Sequence, residues 1–125
     1  MNKKIIDTAI NISQRSTYRH RVGAVIFSKN KIISTGHNFK ERSVKKLHPR
    51  FQKWPGSVHA EVMAIINAKT DLKRASILVV RVNNKNQLLL SRPCQECMKY
   101  IQYVGIKRIY YSISSYPYII EMEQY

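Results

Sequence analysis

The strongest strand signal in the chain is the run Ile77-Leu78-Val79-Val80-Arg81-Val82, which is rich in β-branched residues. Beyond it, Pro93 suits the first turn of a helix that runs to Val104, and Gly105 suits the C-terminal stop of that helix. Residues 107–113 are predicted to form the next strand. This succession of strand, helix and strand indicates an α/β domain.

The residues on either side of this core predict two more helices and further strands. Ser57 is placed to cap the helix that begins at Val58, because its hydroxyl can accept a backbone N–H bond. The last strand should return antiparallel to its predecessor, since the connection before it is too short for a crossover helix. The remaining predicted elements are helices at 3–14 and 58–69 and strands at 22–27, 32–36, 87–91 and 118–124.

Together these elements predict a three-layer α/β fold. Its mixed sheet has about five strands, with helices on both faces, the last two strands antiparallel, and the helices at 58–69 and 93–104 on one face. A chain of 125 residues without repeats or linkers predicts a single domain over residues 1–125.

Charge is the unusual feature of the composition. Twenty-two Lys and Arg residues stand against seven Asp and Glu residues, which gives a net charge of +15. Such a field favours phosphate-bearing partners, either nucleotides or single-stranded nucleic acid, although basic residues can also serve only to keep a surface soluble. The sequence contains neither an apolar run of membrane-spanning length nor a secretory signal pattern, so we expect an intracellular protein that contacts no membrane.

Two short motifs carry the chemistry of the chain. His59-Ala60-Glu61 begins one predicted helix, and Pro93-Cys94-Gln95-Glu96-Cys97 begins another and contains both cysteines of the protein. Cysteines at i and i+3 share one helix face, and a helix N-terminus stabilises their thiolate form. With His59 as a third ligand, the set predicts one catalytic Zn²⁺ whose fourth position is open to water, and Glu61 can reach that water.

The pair of motifs matches the pattern H-x-E…P-C-x-x-C, which is the signature of zinc-dependent nucleobase deaminases. The chain resembles the cytidine/deoxycytidylate deaminase superfamily in this pattern and in element order over residues 1–113. In size and motif context it is most similar to the short deoxycytidylate-type deaminases of phages and large DNA viruses. The resemblance implies that Asn38 holds the sugar and Ala60 lies in the substrate pocket. It also implies a homo-oligomer.

The resemblance further implies the reaction, which is hydrolytic deamination, most simply of cytosine in a nucleotide or nucleoside. Glu61 would take a proton from the activated water and deliver it to the ring. Two departures from the patterns of known deaminases leave open which base is deaminated and which molecule contains that base. Met63 stands where many deoxycytidylate deaminases have Asn, and Arg92 stands where tRNA adenosine deaminases have Glu.

Several alternatives accompany this interpretation. The cysteines could form a redox pair, or a structural zinc could take a fourth ligand from His20, His37 or His48. Asn38 could be a turn residue with a left-handed backbone. The substrate could be a base within single-stranded DNA or RNA, or the protein could be a non-catalytic, zinc-stabilised module that binds nucleic acid.

The basic segment between Asn38 and His59 is predicted to lie at the pocket mouth. Lys45, Lys46 and Arg50 are its candidate phosphate contacts, although a solvated loop would have the same composition. The aromatic residues that could stack on the base are Phe39, Trp54 and Tyr116.

Overall fold

The computed structural model describes residues 2–16, 21–38, 59–85, 87–114 and 119–124. These residues form a mixed sheet flanked by helices. In chain order the elements are α1 (Lys3–Ser13), β1 (Arg21–Ser28), β2 (Lys31–His37), α2 (Ala60–Ala68), β3 (Ser76–Val82), β4 (Leu88–Leu89), α3 (Gln95–Tyr103), β5 (Arg108–Ser114) and β6 (Ile119–Gln124).

The sheet has the strand order β2-β1-β3-β5-β6, and the short β4 pairs with β3 away from this path. The β3–β5 pair is parallel, whereas all the other pairs are antiparallel, including β5 with β6. The predicted mixed sheet and the antiparallel return of the last strand are therefore confirmed.

Helices cover both faces of the sheet and produce two apolar layers. Helix α1 packs Ile5 and Ala9 against one face, over the side chains of Leu78 and Val80. Helices α2 and α3 pack together against the opposite face, over the alternate residues of β3. The three-layer architecture is thus confirmed, with the two helices of interest on the same side. No helix of the described residues has the length and apolar character needed to cross a bilayer.

Helices α2 and α3, whose N-termini carry the two sequence motifs, begin later than predicted. The N-cap of α2 is His59, so Ser57, which lies outside the described residues, is two positions too early to cap this helix. The N-cap of α3 is Cys94, whose ψ angle of 166° is extended, so Pro93 lies before the helix and not in its first turn. The predicted stop is correct, because Gly105 follows α3 with a φ angle of +96°.

Strand β3 changes partners along its length, and this positions the segment that leads to α3. Residues Ser76–Val79 pair with the parallel strand β5. Beyond them, Arg81 and Val82 pair instead with β4, which is shorter than the extended stretch predicted at 87–91. The chain therefore enters the space between β3 and β5 just before it reaches Cys94.

Two glycines allow the helices to approach the sheet closely. A Cβ atom on Gly23 would lie 2.5 Å from the carbonyl oxygen of Ala9 in α1. On the other face, a Cβ on Gly36 would lie 2.6 Å from the carbonyl oxygen of Ala60 and closer still to the amide nitrogen of Ala64. Gly36 therefore sets how near the first turn of α2 comes to β2.

Replacement of this glycine is the first test of the packing. Gly36→Ala is expected to push the first turn of α2 away from the sheet and to lower the free energy of unfolding by about 1–3 kcal/mol, the usual cost of overpacking. Urea denaturation measures this loss. Lys31→Ala, at an exposed position of the same strand, is the control and should change stability little. Equal stability of the two variants would contradict the close approach of α2.

Candidate active site

The N-termini of α2 and α3 carry the motif residues. His59 and Cys94 occupy the two N-cap positions, and their carbonyl oxygens accept the first helical bonds, from Met63 (3.2 Å) and Met98 (2.9 Å). The imidazole of His59 makes no cap bond to α2, and the thiol of Cys94 is hydrogen-bonded to Cys97 in the first turn of α3. The positive ends of both helix dipoles meet at this point and favour negatively charged groups.

Three potential metal ligands converge between the helix starts. Nδ1 of His59 lies 3.0 Å from Sγ of Cys97 and 3.7 Å from Sγ of Cys94. The three ligand atoms all lie within 4.8 Å of one another. Cys97 is fully buried, whereas Cys94 is exposed on the cavity side. Among the described residues this is the cluster able to hold a metal ion.

The donor set fits a tetrahedral zinc ion. Bonds of about 2.0 Å to nitrogen and 2.3 Å to sulfur at tetrahedral angles place neighbouring ligand atoms roughly 3.5–3.8 Å apart. The observed separations lie around this range, so small side-chain movements suffice for binding. Two thiols and one imidazole are ligands that zinc prefers, and three protein ligands leave one position for water. The arrangement therefore matches an open site.

The electrostatics of the cluster also suit a cation. A hydrogen bond from Cys97, assisted by His59, lowers the pKa of the Cys94 thiol to about 4. The same bond raises the pKa of Cys97, and the bond to Cys94 raises the pKa of His59. The Cys94 thiolate thus accepts hydrogen bonds whose donor protons a bound metal ion would displace.

Glu61 lies in the first turn of α2, two residues beyond His59, and is 5% exposed. Burial raises the pKa of its carboxyl group above the usual value, although the positive charge of His59 opposes the shift. Glu61 lines the same cavity as His59 and Cys94. A raised pKa makes the carboxyl group a better proton acceptor than an exposed carboxylate, which suits a general acid–base group.

Two buried serines fix the segment that leads to Cys94. The hydroxyl of Ser91 donates to the carbonyl of Val79 (2.6 Å), and the hydroxyl of Ser112 donates to the carbonyl of Leu89 (2.7 Å). The backbone amide of Ser112 donates to the Ser91 hydroxyl at 2.9 Å, and the two hydroxyl oxygens lie 2.8 Å apart. These bonds provide hydrogen-bond partners for backbone carbonyl and amide groups at the point where the pairing of β3 with β5 ends.

A cavity of about 440 Å³ opens beside the cluster, a size suited to a small-molecule ligand. The predicted substrate residues Asn38 and Ala60 both line it, together with Glu61. The side-chain oxygen of Asn38 accepts a bond from the amide of Val22 at 2.9 Å, which fixes the amide plane. The positive φ angles of the described residues are at Lys29, Lys69, Arg74 and Gly105, so the left-handed turn alternative for Asn38 is not supported.

Other predicted contacts lie outside the described residues. These are the phosphate candidates Lys45, Lys46 and Arg50, the aromatic candidates Phe39, Trp54 and Tyr116, and the alternative ligands His20 and His48.

Some residues at the cavity were not predicted from the sequence. Arg92 makes a bidentate ion pair with Glu123 of β6, at 2.8 and 3.0 Å, across 31 positions of sequence. Arg81 also lines the cavity. Its signal was present in the sequence, since it is a charged residue at an alternate position of the otherwise apolar run 77–82.

Known proteins are similar to this chain in sequence. The profile of the cytidine and deoxycytidylate deaminase zinc-binding region matches residues 1–113. A protein of Aliivibrio fischeri, described as an uncharacterized deaminase in the luxG 3′ region, is 33% identical over 93 residues, which cover 72% of this chain and 56% of the relative. The chain thus spans little more than half the length of that relative.

Solved structures with a similar fold include two deaminases. The dCMP deaminase of cyanophage S-TIM5 in its apo form is 23% identical, with a TM-score of 0.62 over 89% of this chain and 81% of its own. That enzyme has also been crystallised with dCMP and dUMP. The cytidine deaminase of Burkholderia pseudomallei is 14% identical, with a TM-score of 0.69 over 99% of this chain and 92% of its own.

Metal content tests the cluster. The purified protein is expected to contain one zinc ion per chain, and Cys97→Ser is expected to lose it, because a serine hydroxyl is a poor zinc ligand. Loss of zinc binding should also remove about 4 kcal/mol of stability at zinc concentrations a thousandfold above Kd. Elemental analysis and thermal unfolding with and without a chelator measure the two effects.

His37→Gln is the matched control for this experiment. The His37 ring nitrogen lies 3.1 Å from the carbonyl oxygen of Asn38, and His37 is not a member of the three-ligand cluster. The variant should therefore keep its zinc. Zinc loss in His37→Gln would instead indicate a closed, four-ligand structural site.

Proposed function

The chain belongs to the cytidine and deoxycytidylate deaminases, and from this premise we propose that it removes the exocyclic amine of cytosine in a nucleotide or nucleoside by zinc-dependent hydrolysis. Water replaces the amine, so that cytosine becomes uracil and ammonia is released. The observation that carries the proposal is the convergence of three metal ligands with a buried carboxyl group at one cavity. Single-domain organisation over residues 1–125 and self-assembly remain predictions.

His59, Cys94 and Cys97 are the proposed zinc ligands. When bound there, zinc acts as a Lewis acid that lowers the pKa of water toward neutrality. Cys97 would hold the metal with a buried thiol, and Cys94 would hold it with an exposed thiol that lines the cavity. The helix N-terminus at Cys94 stabilises a thiolate there, so the protein presents an anionic ligand to a cation.

Glu61 is the proposed general acid–base group. In its ionised form it accepts a proton from the attacking water, and in its protonated form it donates that proton to the ring nitrogen beside the amine-bearing carbon. It then assists the departure of ammonia by a second proton transfer. Burial supports this role, because it raises the pKa of Glu61 and excludes competing solvent protons.

Asn38 and Ala60 are the proposed substrate contacts. Since the side-chain oxygen of Asn38 is bonded to Val22, the contact proposed for the sugar hydroxyl is a donation from Nδ2. Ala60 lines the cavity next to His59, which supports its proposed contact with the base. The basic residues Lys45, Lys46 and Arg50 remain predicted phosphate contacts.

A polynucleotide substrate is the second candidate, and the charge of the chain favours it. A net charge of +15 attracts any phosphate backbone, and single-stranded nucleic acid exposes its bases to such a pocket. A mononucleotide needs only one or two of these charges. The two candidates therefore differ in how strongly salt weakens binding.

Glu61→Gln tests the catalytic assignment. The amide keeps the size of the side chain but cannot relay a proton, so ammonia release from the active substrate should fall about 10²–10⁴-fold while zinc content is unchanged. Glu96→Gln is the control, because Glu96 is an exposed carboxylate of the first turn of α3. Retained turnover in Glu61→Gln would remove Glu61 from the proposed role.

A substrate panel tests the preference for a small substrate. We expect ammonia release from dCMP or deoxycytidine to exceed release from a single-stranded oligonucleotide with one dC. Between 50 and 200 mM salt, Kd for the nucleotide should rise less than tenfold, whereas an oligonucleotide held at four phosphates would lose roughly 50-fold in affinity. Faster reaction of the oligonucleotide with that steep salt dependence would favour the second candidate.

A further inference from the structure

A large apolar side chain is exposed at the cavity that contains the proposed zinc ligands. Leu90 is 58% exposed and lines this cavity. Among the described residues, Tyr103 and Met122 are the other large apolar side chains with high exposure, and neither of them lines it. Single exposed apolar residues are common on protein surfaces and need no special explanation. What distinguishes Leu90 is therefore its position at the cavity.

The backbone on both sides of Leu90 is fixed by hydrogen bonds. The carbonyl of Leu89 accepts a bond from the Ser112 hydroxyl at 2.7 Å. The amide of Ser91 donates to the carbonyl of the same residue, Ser112, at 2.9 Å. The Ser91 hydroxyl is bonded in addition to the carbonyl of Val79. These bonds restrict the backbone at Leu90, so its side chain is held beside the cavity and does not belong to a free loop.

The sheet contributes further apolar surface to the same cavity. Val22 of β1 pairs with Arg81 of β3, and Val79 lies two residues before Arg81, so the two valines are on one face of the sheet. Both valines line the cavity together with Leu90. Ligand cavities are lined mainly by apolar side chains, with a few polar groups that orient the ligand. Here the residues proposed for metal binding and proton transfer supply polar groups, and the two valines with Leu90 supply apolar surface.

We propose that Leu90 packs against the nucleoside part of the substrate, its base and sugar, and is therefore a substrate-contact residue. This inference rests on the proposed function. The faces of a pyrimidine ring and of a sugar carry apolar surface, and their contact with Leu90 removes apolar area of both partners from water. A leucine side chain offers nothing to a phosphate, which it can neither pair with nor hydrogen-bond. The contact thus contributes equally to the binding of nucleosides and nucleotides.

Leu90→Ala tests the contact with deoxycytidine and dCMP as substrates. Loss of the apolar surface should raise KM for both substrates roughly 5- to 15-fold, while kcat changes less than about twofold, because the lost binding is common to the ground state and the transition state. Leu90→Met should recover most of the KM, since methionine is apolar and of similar volume, whereas the polar Leu90→Asn should not. Zinc content and the melting temperature establish that each variant is loaded and folded.

Met122→Ala is the matched control. Met122 is an exposed apolar residue of β6 that does not line the cavity, so the same kind of truncation there should leave KM unchanged. An unchanged KM in Leu90→Ala, or an equal rise in Met122→Ala, would overturn the proposal. A rise in KM for dCMP without one for deoxycytidine would also overturn it, because the effect would then depend on the phosphate.

Two further measurements separate this contact from self-association and from the proposed function. Sedimentation velocity compares the oligomeric states, and a change in Leu90→Ala, with or without a change in KM, would assign Leu90 to an interface and overturn the inference. If the unmodified protein releases no ammonia from any substrate, the proposed function fails, and calorimetric titration of the zinc-loaded protein with deoxyuridine tests Leu90 instead. A Kd raised about fivefold or more in Leu90→Ala supports the contact. Equal Kd values, or no binding by the unmodified protein, overturn it.

Discussion

Two helices of this protein begin at the same point in space, and the chemistry of the molecule depends on that convergence. His59 and Cys94 are both N-cap residues whose side chains leave their own helices uncapped. The helix ends therefore direct backbone N–H groups and positive dipole ends toward one place, where two thiols and an imidazole meet. The start of α2 alone would supply one of these side chains, and the start of α3 alone would supply two. The pair brings all three together.

The sheet determines where the second helix can begin. Strand β3 pairs with β5 as far as Val79 and with β4 from Arg81 onward, so the chain before Cys94 is inserted between two strands that have separated. Such a gap would leave backbone carbonyl groups without hydrogen-bond donors. The hydroxyls of Ser91 and Ser112 are the donors that these carbonyls receive. Gly36 allows α2 to approach β2 closely on the same face of the sheet. The site is thus a consequence of strand pairing and small side chains.

Local sequence predicted the elements and the two motifs that form the cluster, because those depend on short-range patterns. The apolar run 77–82, the Cys94–Cys97 spacing and the stop at Gly105 are each contained in a few residues. The helix starts were misplaced by one or two residues, since an extended N-cap can look like a first helical turn in sequence. Contacts between distant residues carried no local signal. The Ser91–Ser112 bonds span 21 positions, and only the change of partners along β3 brings these serines together.

The last strand contributes to the site in a way that the motifs do not contain. The family profile ends at residue 113, yet Glu123 of β6 binds the arginine directly before Pro93. An arginine at that position, between Ser91 and helix α3, would place an uncompensated charge beside the cluster of His59, Cys94 and Cys97. The bidentate carboxylate compensates that charge and ties β6 to the segment that leads to Cys94.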